Sequence, residues 1–205
     1  MAKVSSEFIE DRKKEIIDAC EKLYQTMSFK DVTIIEIGKI TSFTRTSIYN
    51  YFNTKEEIFL ALQQREYEFW IADLEKIISE NKKLSKENFA DLIAKSLENR
   101  LQLLKLLSMN HFDMEMNSRQ ENLIDFKKTY GQSLATMKKC LDKFFPKMSE
   151  ENKNIFLYAF FPFVYGIYPY TIVNEKQISA MESANTNFIF HSVYELTYNF
   201  LVKFL

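Results

Sequence analysis

Residues 34–53 read IIEIGKITSFTRTSIYNYFN, and the placing of small, apolar and polar groups in this stretch decides the fold of the amino-terminal region. Two short helices that cross steeply need a small residue where they touch, and Gly38 supplies one. They also need apolar residues facing the domain core, which Ile37, Phe43, Ile48 and Tyr51 or Phe52 provide. Thr41, Ser42 and Phe43 form the turn between them, with Ser42 at a position that ordinarily wants the left-handed backbone cheapest for glycine. The pattern predicts a helix-turn-helix.

Upstream, Thr33 stands as an N-cap with Glu36 at the offset of a capping box, so the first helix of the pair runs through Ile40. Before it, Ile9, Ile16, Ile17, Ala19, Cys20, Leu23 and Tyr24 recur at helical spacing and predict a helix from Glu7 to Met27. Downstream, Thr54 and Glu57 repeat the capping pair and start a long helix through Ser79.

The helix from Thr44 presents Thr44, Arg45, Thr46, Ser47, Tyr49 and Asn50. Arginine pairs bidentately with guanine O6 and N7, asparagine with adenine, and the threonine methyl meets thymine. Hydroxyls and the Tyr49 phenol suit phosphates, which orient a helix without specifying sequence. Lys55, in the first turn of the next helix, adds a cation beside exposed backbone amides. The plainer account, a core aromatic, is the better one for Phe52, as an apolar core position is for Ile48.

SIYNYFNTKEEIFLAL, residues 47–62, with Thr33 and Ile37 upstream, resembles the amino-terminal signature of the TetR family of transcriptional regulators. The resemblance runs from about Ile9 to Leu62 and implies that Thr33, Arg45, Thr46, Ser47, Tyr49, Asn50, Tyr51 and Lys55 contact DNA. It further implies that the final helices build a four-helix dimer bundle. A dimer places two recognition helices about one DNA turn apart, so the expected operator is a palindrome in double-stranded DNA.

Beyond residue 62 only patterning is available. The 205 residues are 46% apolar and 27% charged, with three Gly and three Pro, too little punctuation for a β-rich chain. An all-α fold of about nine helices is expected. Residues 1–55 form the helix-turn-helix domain, continuing into the long helix, and residues 56–205 a ligand-binding and dimerisation domain. Ser85 caps a helix whose buried side runs from Phe89 through Leu101 to Leu107. Asp113–Arg119 is a polar interruption, and Leu123 to Phe145 is helical until Pro146. Ser149 caps the next helix, residues 174–186 are loop-rich, and a last helix starts at Asn187.

The net charge of −1 places any DNA contact on a local patch, not on a basic field. Cys20 and Cys140 fall inside helical patterns, as buried free thiols of a reducing, cytoplasmic protein do. Ile155–Val173 is 19 residues without a charge, near the length of a membrane span, but Pro162, Gly166 and Pro169 interrupt it, and a helix buried on all sides is preferred.

The last two helices carry more apolar residues than one core stripe requires, as expected of a homodimer interface. Phe112, Tyr130, Phe163, Tyr165 and Tyr168 suggest a wall for an apolar or aromatic small-molecule effector. Two histidines, no Gly-rich phosphate loop and no set nucleophile argue against an enzyme, and no cofactor or metal is expected. The competing account is a helical adaptor that uses the same helix-turn-helix for a protein partner.

Overall fold

The computed structural model describes residues 6–109 and 111–205. Among them are eleven α-helices: α1 (Ser6–Thr26), α2 (Ile34–Ile40), α3 (Arg45–Ile48), α4 (Lys55–Glu80), α5 (Lys86–Glu98), α6 (Leu101–Leu107), α7 (His111–Met116), α8 (Gln120–Phe144), α9 (Glu150–Thr171), α10 (Glu175–Ser183) and α11 (Val193–Phe204). The all-α class holds, and the described residues contain no strand. Thr33, Ser85 and Ser149 cap α2, α5 and α9 through their side-chain oxygens, each satisfying a backbone donor that the helix leaves open.

The helices depart from the sequence expectation at four places. The stripe from Phe89 to Leu107 breaks at Asn99–Arg100 into α5 and α6, leaving Leu101 exposed. The Arg100 guanidinium there bonds both oxygens of Asp73, at 2.7 and 3.0 Å. Residues 111–116 form α7, and α10 arises in the expected loop through an Asn174–Gln177 capping box. The last helix starts at Val193, behind a Ser192–Glu195 capping box, and leaves Phe188–Phe190 in irregular backbone.

The chain forms two compact units, one of Met1–Arg65 with Asn110–Thr129 and the other of Glu66–Met109 with Tyr130–Leu205. The first has a core of Ile16, Cys20, Ile37, Ile48, Phe59, Met114 and Phe126, all buried. Arg65 of α4 bonds Asp18 and Glu21 of α1, tying those two helices together. In the second unit α11 packs mainly on α5, and α6 on α9. Its centre is aromatic: Phe160 lies 5.4 Å from Phe156, 6.4 Å from Trp70 and 6.3 Å from Phe200 between ring centroids.

No single helix among the described residues is long and apolar enough to cross a membrane; α9 and α10 meet the length and composition only together, across an 85° bend. Cys20 and Cys140 are both free and fully buried, and burial pushes both thiols up, Cys140 to about 12.

Candidate nucleic-acid interface

The helix-turn-helix is α2 and α3. Gly38 faces the start of α3, where an added Cβ meets Arg45 N at 3.6 Å and Ile48 Cδ1 at 3.7 Å, ordinary contact distances. The small residue therefore leaves room for one methyl. Gly38→Ala is expected to raise stability by roughly 0.5–1 kcal/mol, because alanine suits a helix interior better and loses less chain entropy. Urea denaturation of the two proteins measures it, and a destabilised alanine variant would show that α2 and α3 pack closer than this.

The turn departs from the expected geometry. Thr41 leaves α2 in an extended conformation, φ −105 and ψ 167, and Asn185 alone among the described non-glycine residues has a positive φ. Ser42 therefore takes no left-handed backbone, and serine there carries no strain. Its N–H instead donates to Glu15 Oε1 at 2.6 Å, while Arg12 donates to Ser42 Oγ at 2.9 Å. That backbone bond, foremost, holds the Glu15 carboxyl below its ordinary range. The Arg12 guanidinium also lies 4.8 Å from the Phe43 ring centroid, so α1 grips the turn from one side.

Thr44 caps α3: its Oγ1 accepts from Ser47 N at 3.3 Å and lies 2.9 Å from Ser47 Oγ. Ile48 is buried beneath, with Phe52 after it. Thr44, Arg45, Thr46, Tyr49 and Asn50 are exposed, and Ser47 is half-buried. Arg45 donates to Tyr49 Oη at 3.4 Å, with its guanidinium 5.8 Å from the Tyr49 ring centroid. The helix ends at Ile48, earlier than expected, so Tyr49 is its C-cap and Asn50 lies in the following turn; α3 and that turn together expose a cation, an amide and hydroxyls.

The remaining predicted positions are more engaged. Thr33 Oγ1 accepts from Glu36 N at 3.2 Å, but the Glu36 carboxylate turns to Lys39 at 2.7 Å, so the expected capping box is half formed. Tyr51 is half-buried, edge-on to Phe43 with centroids 5.9 Å apart. Lys55 donates to the Phe29 carbonyl at 2.8 Å and sits 4.2 Å from the Phe29 ring centroid, which occupies one of its three donors.

Sequence reasoning missed the group at the exit of α3. Glu57, 1% exposed, accepts at Oε2 from Asn53 N (2.7 Å) and Arg119 Nη2 (2.9 Å), and at Oε1 from Arg119 N (2.9 Å) and Nε (2.7 Å). Burial works to raise its pKa, but the bonds from Arg119 and Asn53 outweigh it and hold the carboxyl below its usual range. Arg119 Nη2 also donates to the Tyr51 carbonyl at 2.9 Å, and Thr54 Oγ1 donates to the Asn117 carbonyl at 2.9 Å. The Thr54–Glu57 spacing signalled a cap; nothing local signalled Arg119.

The five residues expected to line an effector site are divided between the two units. Phe112 is 72% exposed in the first unit. In the second, Phe163 stacks on Phe200 at 4.3 Å, because its face of α9 meets α11. Tyr130 and Tyr165 converge on Tyr67, with Tyr67 Oη donating to Tyr165 Oη at 3.0 Å and the Tyr67 and Tyr130 rings 5.9 Å apart. Burial, then the neighbouring phenols, pushes the Tyr67 pKa well up, and burial raises Tyr130 and Tyr168. Among the described residues no three His, Cys, Asp or Glu side chains are grouped to hold a metal ion.

Two family models match the chain: "Bacterial regulatory proteins, tetR family" over residues 16–62, and "Tetracyclin repressor-like, C-terminal domain" over residues 64–200. No curated protein sequence matches. The fold is similar to the fatty acid degradation regulator FadR from Bacillus halodurans, with TM-score 0.57, 13% identity, and 98% of this chain and 96% of that one covered. It is also similar to the TetR family repressor AlkX from Dietzia sp. strain DQ12-45-1b, implicated in biodegradation of n-alkanes, with TM-score 0.53, 10% identity and 94% of each chain covered.

Proposed function

Since the chain belongs to the TetR family of bacterial regulatory proteins, we propose that it is a repressor that binds a palindromic operator as a homodimer and is released by an apolar or aromatic small molecule. Membership supports the coarser statement, a DNA-binding transcriptional regulator. The observation that carries the operator reading is the exposed surface of α3 and of the turn after it, where Arg45 on the helix and Tyr49 and Asn50 just beyond it lie beside the buried Ile48. Thr33, Thr44, Thr46, Ser47, Tyr51 and Lys55 are assigned to phosphate contacts or to holding that helix. Selection of bound duplexes from random DNA by the purified chain tests it. Enrichment of a two-fold sequence, with affinity falling steeply as salt rises, is the expected result. A chain that enriches nothing would return the helix-turn-helix to the adaptor reading.

Dimerisation is assigned to α9 and α11. Ile155 (53% exposed), Tyr158 (82% exposed), Pro162, Gly166 and Pro169 share one uncharged, exposed face of α9, an apolar surface that a monomer rarely leaves to water. Tyr158→Glu is expected to weaken self-association by at least about 30-fold, as loss of a central aromatic contact does. Sedimentation equilibrium measures it; an unchanged dimer would move the interface elsewhere.

The effector reading rests on the buried aromatic interior of the second unit and its phenol group of Tyr67, Tyr130 and Tyr165. A site opening among these groups would accept an apolar body and give it one hydrogen-bonding edge. The names of the two structural neighbours, which refer to fatty acid and n-alkane breakdown, are in keeping with a lipophilic molecule.

A further inference from the structure

Residues 117–119 reach the exit of the recognition helix from far along the chain. The Tyr51 carbonyl, the Asn53 N–H and the Thr54 hydroxyl lie immediately after α3, and each bonds Arg119, its partner Glu57 or the Asn117 carbonyl. Glu57 is the hub, since its two oxygens take four donors and it has no access to water. A carboxylate buried in this way strongly disfavours losing any of its partners, because the charge would then be left uncompensated. The chain enters residues 110–129 from the other unit and returns to it at Tyr130. A change carried along the backbone into this segment therefore meets the α3 exit through two side chains.

We propose that Glu57 and Arg119 are a positioning pair that sets the recognition helix for base reading, so that displacement of residues 117–119 lowers operator specificity. This rests on the operator reading above and names how that site is controlled. Arg119 acts through Tyr51 and Asn53 and needs no contact with DNA.

The test compares the full chain with its Arg119→Gln and Glu57→Gln variants on two duplexes, one selected from random DNA by the unmodified chain and one of unrelated sequence. For Arg119→Gln the ratio of the two affinities is expected to fall at least about tenfold, because base contacts are lost while nonspecific phosphate attraction stays. Amide exchange at residues 51–54 should quicken while that of α1 stays slow. Arg119→Lys should recover part of the ratio, as an ammonium reaches Glu57 or the Tyr51 carbonyl but lacks the planar fork for both.

An unchanged ratio overturns the proposal. Equal weakening on both duplexes also overturns it, since Arg119 would then be a phosphate contact. If Arg119→Gln lowers the unfolding midpoint so far that binding cannot be compared, Glu57→Gln, of the same size and shape, decides. A full ratio in that variant overturns the pair's role. If the unmodified chain selects no duplex, the operator reading fails first and this inference with it; if it selects one that the variants bind equally well, only the pair's role fails.

Discussion

Replacing Arg45 and Tyr49 together by alanine is expected to lower affinity for the selected operator by roughly 30-fold to 10⁴-fold at fixed salt. A bidentate arginine–guanine pair contributes about 1–3 kcal/mol of discrimination, and a dimer loses it in both half-sites. The two single variants should differ in kind. Arg45→Ala relaxes the preference at one base per half-site, whereas Tyr49→Ala weakens all sequences nearly alike and, if its partner is a phosphate, leaves the base preference intact. In the free protein the guanidinium rests against the Tyr49 phenol, so removing the tyrosine also releases Arg45 from its partner on α3. Gel shifts of both variants against the unmodified chain would sink the assignment if binding and base preference were unchanged. Neither side chain is part of a core, so thermal stability should hold.

The second large effect concerns stability. Phe160→Ala should cost about 3–5 kcal/mol, the range for an aromatic removed from a closely packed interior. Phe160 is fully buried, with Phe156, Phe161, Phe163, Phe200 and Trp70 all around it, and relaxation cannot easily fill a space bounded by that many rigid rings. Trp70 is the single tryptophan of the chain, with centroid 6.4 Å from Phe160, so its fluorescence follows urea unfolding of this core directly. Phe190→Ala, at a position 50% exposed, serves as the comparison and should change stability by no more than about 0.5 kcal/mol. Equal midpoints for the two variants would mean that the aromatic cluster is not the core of this unit.

What could be seen in the sequence was what is decided locally. Thr33, Ser85 and Ser149 cap helices because a short polar side chain answers the amides two or three residues on, and that relation is written in neighbouring positions. The α3 face was legible for the same reason, since which residues point away from Ile48 follows from helical spacing alone. The split between α5 and α6 was not legible: no Gly or Pro marks it, and the Arg100–Asp73 pair that accompanies it joins residues 27 apart in the chain. The engagement of Ser42 by Glu15, and of Glu57 by Arg119, is likewise a matter of tertiary approach. Phe163 shows the same limit from another side. Periodicity indicates that it faces protein, but only the packing of α9 against α11 shows that it meets Phe200.

The two cysteines have a practical consequence. Both are sealed from water, with thiols that ionise only far above neutral pH, and alkylating reagents act on the thiolate. The native chain should therefore be silent toward maleimide and methanethiosulfonate labels while it is folded. An Asn50→Cys variant would carry its only reactive sulfur just after the recognition helix, and a pair of spin labels there would act as a ruler between the two copies of a dimer. The spacing of the two reading heads, with and without a candidate effector, would then be open to direct measurement in solution.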